Sequence, residues 1–188
     1  QLGKQIHSWG SVDENSPLDN AGAKDYYYIF FSGKERKIGS LSAKIDYYFN
    51  NLKASIVFSP LHQTNRIPLG NDDFPITLPV YPKGRQIYPI SELPLEGGIY
   101  TTISHGKGDV SFSYYSTYDR IFNLTGVNIY GHGSDLSFPY IDILYGYRKT
   151  NILGIGGVII LEWFVLRGDI GYFLTKDLNS NIKRESTN

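Results

Sequence analysis

The chain has 188 residues, with 18 lysines and arginines balanced by 18 aspartates and glutamates, no cysteine or methionine, and 16 tyrosines, 10 phenylalanines and 20 glycines. Balanced charge removes the basic excess that nucleic-acid binding needs, and the lack of any apolar run of about 18 residues excludes a helical membrane span. No disulfide framework is possible, and the aromatic and glycine content suits a β-barrel with aromatic girdles or a secreted β-sandwich.

The chain opens on Gln1-Leu2-Gly3 as if inside a strand. With no initiator methionine, it reads as a segment of a longer protein. Residues 10–37 form a first long loop; within it Tyr26 to Phe31 is aromatic on both faces, which suits a segment folded into a barrel mouth or a short helix as well as a strand. From Lys37 to Phe58 the pattern changes to period two, with Leu41, Ala43, Ile45, Tyr47 and Phe49 alternating with Ser40, Ser42, Lys44, Asp46 and Tyr48. A two-residue Asn50-Asn51 turn would pair Phe49 with Leu52, Ile45 with Ile56 and Ala43 with Phe58, all on one face.

Residues 59–96 form a second long loop that holds seven of the nine prolines, so it contains no central strand. His105-Gly106-Lys107-Gly108 is by contrast a tight connection, pairing Ile103 with Val110, Thr101 with Phe112 and Ile99 with Tyr114. Residues 119–138 form a third long loop. Phe138 to Ile160 reads as a hairpin closed by Lys149-Thr150-Asn151, with Asp142, Gly146 and Arg148 on one face and Ile141, Ile143, Tyr145 and Tyr147 on the other. Asn151 to Phe173 reads as a further hairpin in which Arg167 and Asp169 share the face of Gly154 and Gly156; glycine there leaves room for a long side chain.

Strands of about ten residues, apolar on one face and lined with Ser, Lys and Asp on the other, are what a transmembrane β-barrel with a wet lumen requires. The expected fold class is therefore all-β, an antiparallel up-and-down meander forming part of such a barrel, as one domain over 1–188. Outer-membrane barrels have short periplasmic turns and long outer loops. The Asn50-Asn51, His105–Gly108 and Lys149–Asn151 turns would then be periplasmic, and the three long loops external.

The order of several motifs carries a resemblance. Gly3-Lys4-Gln5…Trp9-Gly10, Ser16-Pro17-Leu18-Asp19, Glu35-Arg36-Lys37, Asn65-Arg66-Ile67-Pro68, Tyr118-Asp119-Arg120 and Val165-Leu166-Arg167-Gly168-Asp169 resemble a family of uncharacterised porin-like outer-membrane proteins of Gram-negative bacteria. Lys4, Ser16 and Asp169 are mild departures, standing where that family has Arg, Asn and usually Glu. The resemblance implies a porin-like barrel in the outer membrane, surrounded by its lipid, larger than this chain and with no defined substrate.

Candidate pore-lining residues are Lys44, Asp46, Asp142, Arg148, Arg167 and Asp169. Charged side chains on a lumenal wall set ion preference, although the same residues would also serve as ion pairs that hold the wall. Trp9, Asp19 and Arg66 are candidates for a loop that narrows the mouth. Enzymatic readings are weaker: His132, Ser134 and Asp135 are neighbours in sequence, whereas a catalytic triad is assembled from separated elements. The four histidines lack metal-ligand spacing, and Asp72-Asp73 lacks the spacing of a calcium loop, so no cofactor or metal is expected. The expected function is passage of small solutes across the outer membrane, without enzymatic activity. The alternatives are a non-transport envelope barrel, whether for adhesion, docking or structure, and then a soluble carbohydrate-binding β-sandwich.

Overall fold

A computed structural model describes residues 1–12, 16–28, 36–69, 94–132 and 135–176. The chain is all-β, and in chain order its strands are β1 (Leu2–Gln5), β2 (Ala23–Lys24), β3 (Lys37–Ile38), β4 (Ser40–Phe49), β5 (Leu52–Ser59), β6 (Glu96–His105), β7 (Gly108–Tyr118), β8 (Asn123–His132), β9 (Asp135–Gly146), β10 (Lys149–Ile160) and β11 (Val165–Lys176). Seven of them form one antiparallel sheet in the order β1-β4-β5-β6-β7-β10-β11, while β2 pairs with β3 and β8 with β9. Tyr26–Tyr28 is a single 3-10 turn. Among the described residues no helix is long and apolar enough to cross a membrane, which leaves crossing by strands untouched.

The expected registers hold at two hairpins, and the expected faces at a third. Phe49 faces Leu52 and Ile45 faces Ile56; Asn50 closes this turn at a φ of 48°, a left-handed conformation that asparagine tolerates. Ile99 faces Tyr114 and Ile103 faces Val110. Asp169 lies opposite Gly156, and Arg167 opposite Val158.

The hairpin expected over Phe138 to Ile160 does not form. Lys149, Thr150 and Asn151 belong to β10, which pairs with β7 instead, placing Thr150 opposite Thr117 and Leu153 opposite Tyr114. The preceding strand β9 pairs with β8, so the expected third loop contains a strand and the start of another. The meander is thus interrupted by an inserted hairpin. Parity explains the error, because β10 presents its apolar residues to the same face whichever antiparallel neighbour it takes. The true partner of β9 was concealed by register shifts between Leu124 and Gly126 and between Tyr130 and His132, which break the period-two pattern.

The antiparallel order places every short connection at one end of the sheet: Asn50-Asn51, Gly106-Lys107 and Leu161–Phe164. The last is closed by the Leu161 N–H donating to the Phe164 carbonyl at 2.9 Å. Residues 6–39, 60–95 and 119–148 all leave from the opposite end. The end-to-end asymmetry read from the sequence is therefore present, with Leu161–Phe164 in the place assigned to Lys149–Asn151.

Alternate residues give the sheet two unlike faces. One is open and apolar, with Leu41, Ile45, Ile56, Phe58, Ile99, Ile103, Phe112, Leu153, Ile155, Leu166 and Ile170 all exposed. The other carries Ser42, Ser55, Ser59, Glu96, Ser111, Thr117 and Thr150, all buried. A small core joins the two layers, in which Trp9 and Ala21 of that segment meet Val57, Tyr115 and Tyr100. Ile143 was expected on the open face but belongs to the β8–β9 hairpin. Tyr147, also expected there, is buried with its ring edge-on to His62.

Candidate functional site: the covered face and the mouth

The N-terminal segment lies across the covered face and is fixed to it at three places. Near β4, His7 Nε2 is 2.8 Å from Ser42 Oγ in a buried contact. Burial, and after it the charge of Lys44, holds the His7 imidazole below its ordinary pKa. At the middle, Trp9 stacks on Tyr100 at 5.5 Å between centroids and meets Tyr115 edge-on at 5.2 Å. A tryptophan sandwiched in this way brings a large apolar area and orientational preference together.

The third attachment is Asp169 on β11. Its Oδ2 accepts the Ser11 N–H at 2.8 Å, the Val12 N–H at 3.0 Å and the Ser16 hydroxyl at 2.7 Å. Space for this comes from glycine: a Cβ on Gly156 would overlap Asp169 Oδ1, and one on Gly154 would overlap Leu18 of the segment. The room left by these glycines is thus filled by the clamp and by the segment it holds. Asp19 is buried and accepts the Trp9 N–H at 3.2 Å while pairing with Lys37 at 2.7 Å, so it sets the fold of the segment itself.

The other sequence candidates separate. Lys44 and Asp46 lie on the covered face and pair with each other at 3.1 Å, with Ser55 donating to Asp46. Arg167 shares the face of Asp169 and is exposed. Arg148 does not line the sheet: it follows β9 and pairs with Asp119 at 3.0 Å at the base of the β8–β9 hairpin. Asp142 lies in that hairpin opposite Asn128, outside the seven-stranded sheet; its side chain, like that of Ile141, lies outside those described. Arg66 is half exposed, pairs with Asp25 at 2.9 Å and stands 4.4 Å from the Tyr27 ring. It holds the N-terminal segment and the excursion after β5 together. Ser134, Asp72 and Asp73 lie outside the described residues.

Sequence reasoning missed the strongest ionic centre. Glu96, at the start of β6, is buried between His62 at 2.5 Å and Arg120 at 2.9 Å, and accepts the Thr117 hydroxyl at 2.7 Å. Arg120 also donates to the carbonyls of Gln63 at 2.8 Å and Asn20 at 3.1 Å. Glu96 therefore joins the excursion after β5 to the connection after β7, and Arg120 extends the link to the N-terminal segment. The parity of Ile99 already placed even-numbered residues of β6 on the covered face, so Glu96 was recoverable as an inward charge. His62 sits in an aperiodic proline-bounded stretch and gave no signal.

Between these elements, at the long-loop end, lies a cavity of about 370 Å³. Its walls come from the N-terminal segment, the start of β10, the end of β7 and the connection that follows it, and include Asp19, Lys24, Asn65, Asp119, Arg120 and Arg148. Among the described residues no cluster of three or more His, Asp or Glu side chains is arranged to hold a metal ion. Comparison with protein-family models, with curated proteins and with solved structures returned no match.

Proposed function

We propose that the chain is part of a porin-like outer-membrane β-barrel in which the open face meets lipid, the covered face is lumenal and the N-terminal segment acts as a plug that restricts small-solute passage. The observation that carries this reading is the segregation of the two faces. A soluble sheet this large gains nothing from an apolar face left in water, whereas lipid is a favourable partner for it. Trp163, 92% exposed in a short turn, its sequence neighbour Phe164, and Phe49 at the same end of the sheet fit an aromatic girdle at the membrane interface. The placing of all long excursions at one end fits the same orientation.

The plug assignment rests on Asp169, Trp9 and Glu96, whose partners hold the segment against the wall at separate points. That multiplicity also favours a second reading, a permanently closed barrel whose outer excursions dock a partner. Conductance separates the two. Refolded protein in a planar bilayer should show low, intermittent conductance, and Asp169→Asn should raise it by weakening the clamp. Arg167→Gln, on the exposed part of the covered face, should move the reversal potential toward cations. Protein that inserts, shows heat-modifiable gel mobility and conducts in neither form would support the docking barrel. Protein that stays monodisperse without detergent and ignores vesicles would overturn the membrane reading itself.

A further inference from the structure

Four of the ionic groups that line the cavity at the mouth are engaged in ion pairs. Arg120 is held by Glu96, Arg148 by Asp119 and Asp19 by Lys37; Lys24 has its own interaction. An ionic ligand would have to displace one of these pairs and leave its partner unsatisfied in a partly buried site, which is the costly way to break an ion pair. Beside these pairs the walls present uncharged groups. Asn65 accepts the Lys24 N–H through Oδ1 at 2.7 Å, which fixes the amide and leaves its NH₂ group as a donor. Tyr26 adds a hydroxyl and a ring, whereas the buried Thr150 hydroxyl is engaged with Asp119 at 2.7 Å and Thr175 at 3.1 Å. The volume falls at the lower end of the range of about 300–1,000 Å³ typical of small-molecule sites.

From this we infer that the cavity is a binding site for an uncharged polyhydroxylated solute, a mono- or disaccharide, that meets it before the lumen. Hydroxyl groups can both donate and accept, so they suit walls that present an amide donor, a tyrosine hydroxyl and an aromatic ring without demanding a counter-charge. The inference rests on the porin-like reading for its place in transport, because it gives the solute class for the same mouth. Binding itself does not depend on conduction.

The test is saturation-transfer NMR on the full chain refolded in detergent, with glucose and maltose as probes and gluconate and glucosamine as their charged counterparts. Transfer should favour the neutral sugars, and Asn65→Leu should weaken binding about five- to tenfold, the worth of one or two hydrogen bonds. Tyr26→Ala should reduce transfer to the sugar-ring protons. Equal or stronger transfer to the charged sugars, no transfer to any neutral one, or unchanged binding in Asn65→Leu would each overturn the inference. Should Asn65→Leu fail to fold, the neutral-against-charged ranking on unmodified protein still decides. Conductance without sugar binding would overturn this inference and leave the pore reading standing, and sugar binding by protein that ignores vesicles would do the reverse.

Discussion

The two faces of the seven-stranded sheet are built from alternate residues of the same strands, yet they obtain their stability in opposite ways. The open face offers apolar side chains with no protein over them, so its contribution depends on what surrounds the molecule. The covered face offers hydroxyls, glycines and a few charges, several of them matched to specific groups of the N-terminal segment or the long-loop end. A face that needs a solvent tolerates one apolar residue in place of another; a face that needs particular partners does not. Neighbouring positions along one strand should therefore respond very differently to substitution.

The largest effect is expected where the covered face concentrates charge. Glu96→Gln leaves Arg120 buried beside a neutral amide, and breaking such a pair from one side costs about 3–5 kcal/mol; urea unfolding in detergent should show the lowered midpoint. On the open face the damaging change is the introduction of charge. Ile155→Arg should cost about 2–4 kcal/mol in a bilayer and much less in water, so the comparison of vesicle with detergent unfolding is the measurement. Equal cost in both media would break the contrast between the faces.

Gly156→Ala should cost about 1–3 kcal/mol, because a methyl group there overlaps Asp169 and forces the clamp to shift. Gly168 meets nothing within 4 Å where its Cβ would stand, so Gly168→Ala should be far milder. The smallest effect concerns pH. Since burial depresses the His7 pKa, the unfolded chain binds the proton more readily; the contribution of His7 is complete above about pH 6.5, the ordinary imidazole value, and declines as pH falls below it. Limited proteolysis of the N-terminal segment should accelerate in that acidic window, and His7→Gln should remove the His7 part of the acceleration.

The parts of this architecture that were legible in the sequence are those governed by period two and a short turn. The β4–β5 and β6–β7 registers follow from Phe49 meeting Leu52 and Ile103 meeting Val110, and for β10–β11 the shared face of Gly156 and Asp169 was legible without the register. Parity could not select the neighbour of β10, since β7 and β9 present equivalent alternations. The role of Asp169 was half legible: its face was correct, but two of its three partners are backbone N–H groups of Ser11 and Val12, which leave no trace in residue type. Arg148 was misplaced for a related reason. Its apparent position in an alternating strand depended on a turn at Lys149–Asn151, whereas β9 ends at Gly146 and the connection to β10 delivers Arg148 to Asp119.

The Asp169 clamp also bears on the order of folding. It joins residues separated by 158 and 157 positions, so no local search can form it, and the loop it closes contains most of the sheet. The N-terminal segment can stack Trp9 on Tyr100 once β6 is in place, but it gains its last anchor only when β11 has docked beside β10. Until then the covered face is sealed at one side and open at the other. Completion of the wall and final locking of the segment are thus one event, and a chain stalled before β11 is distinguishable by protease from one that has finished.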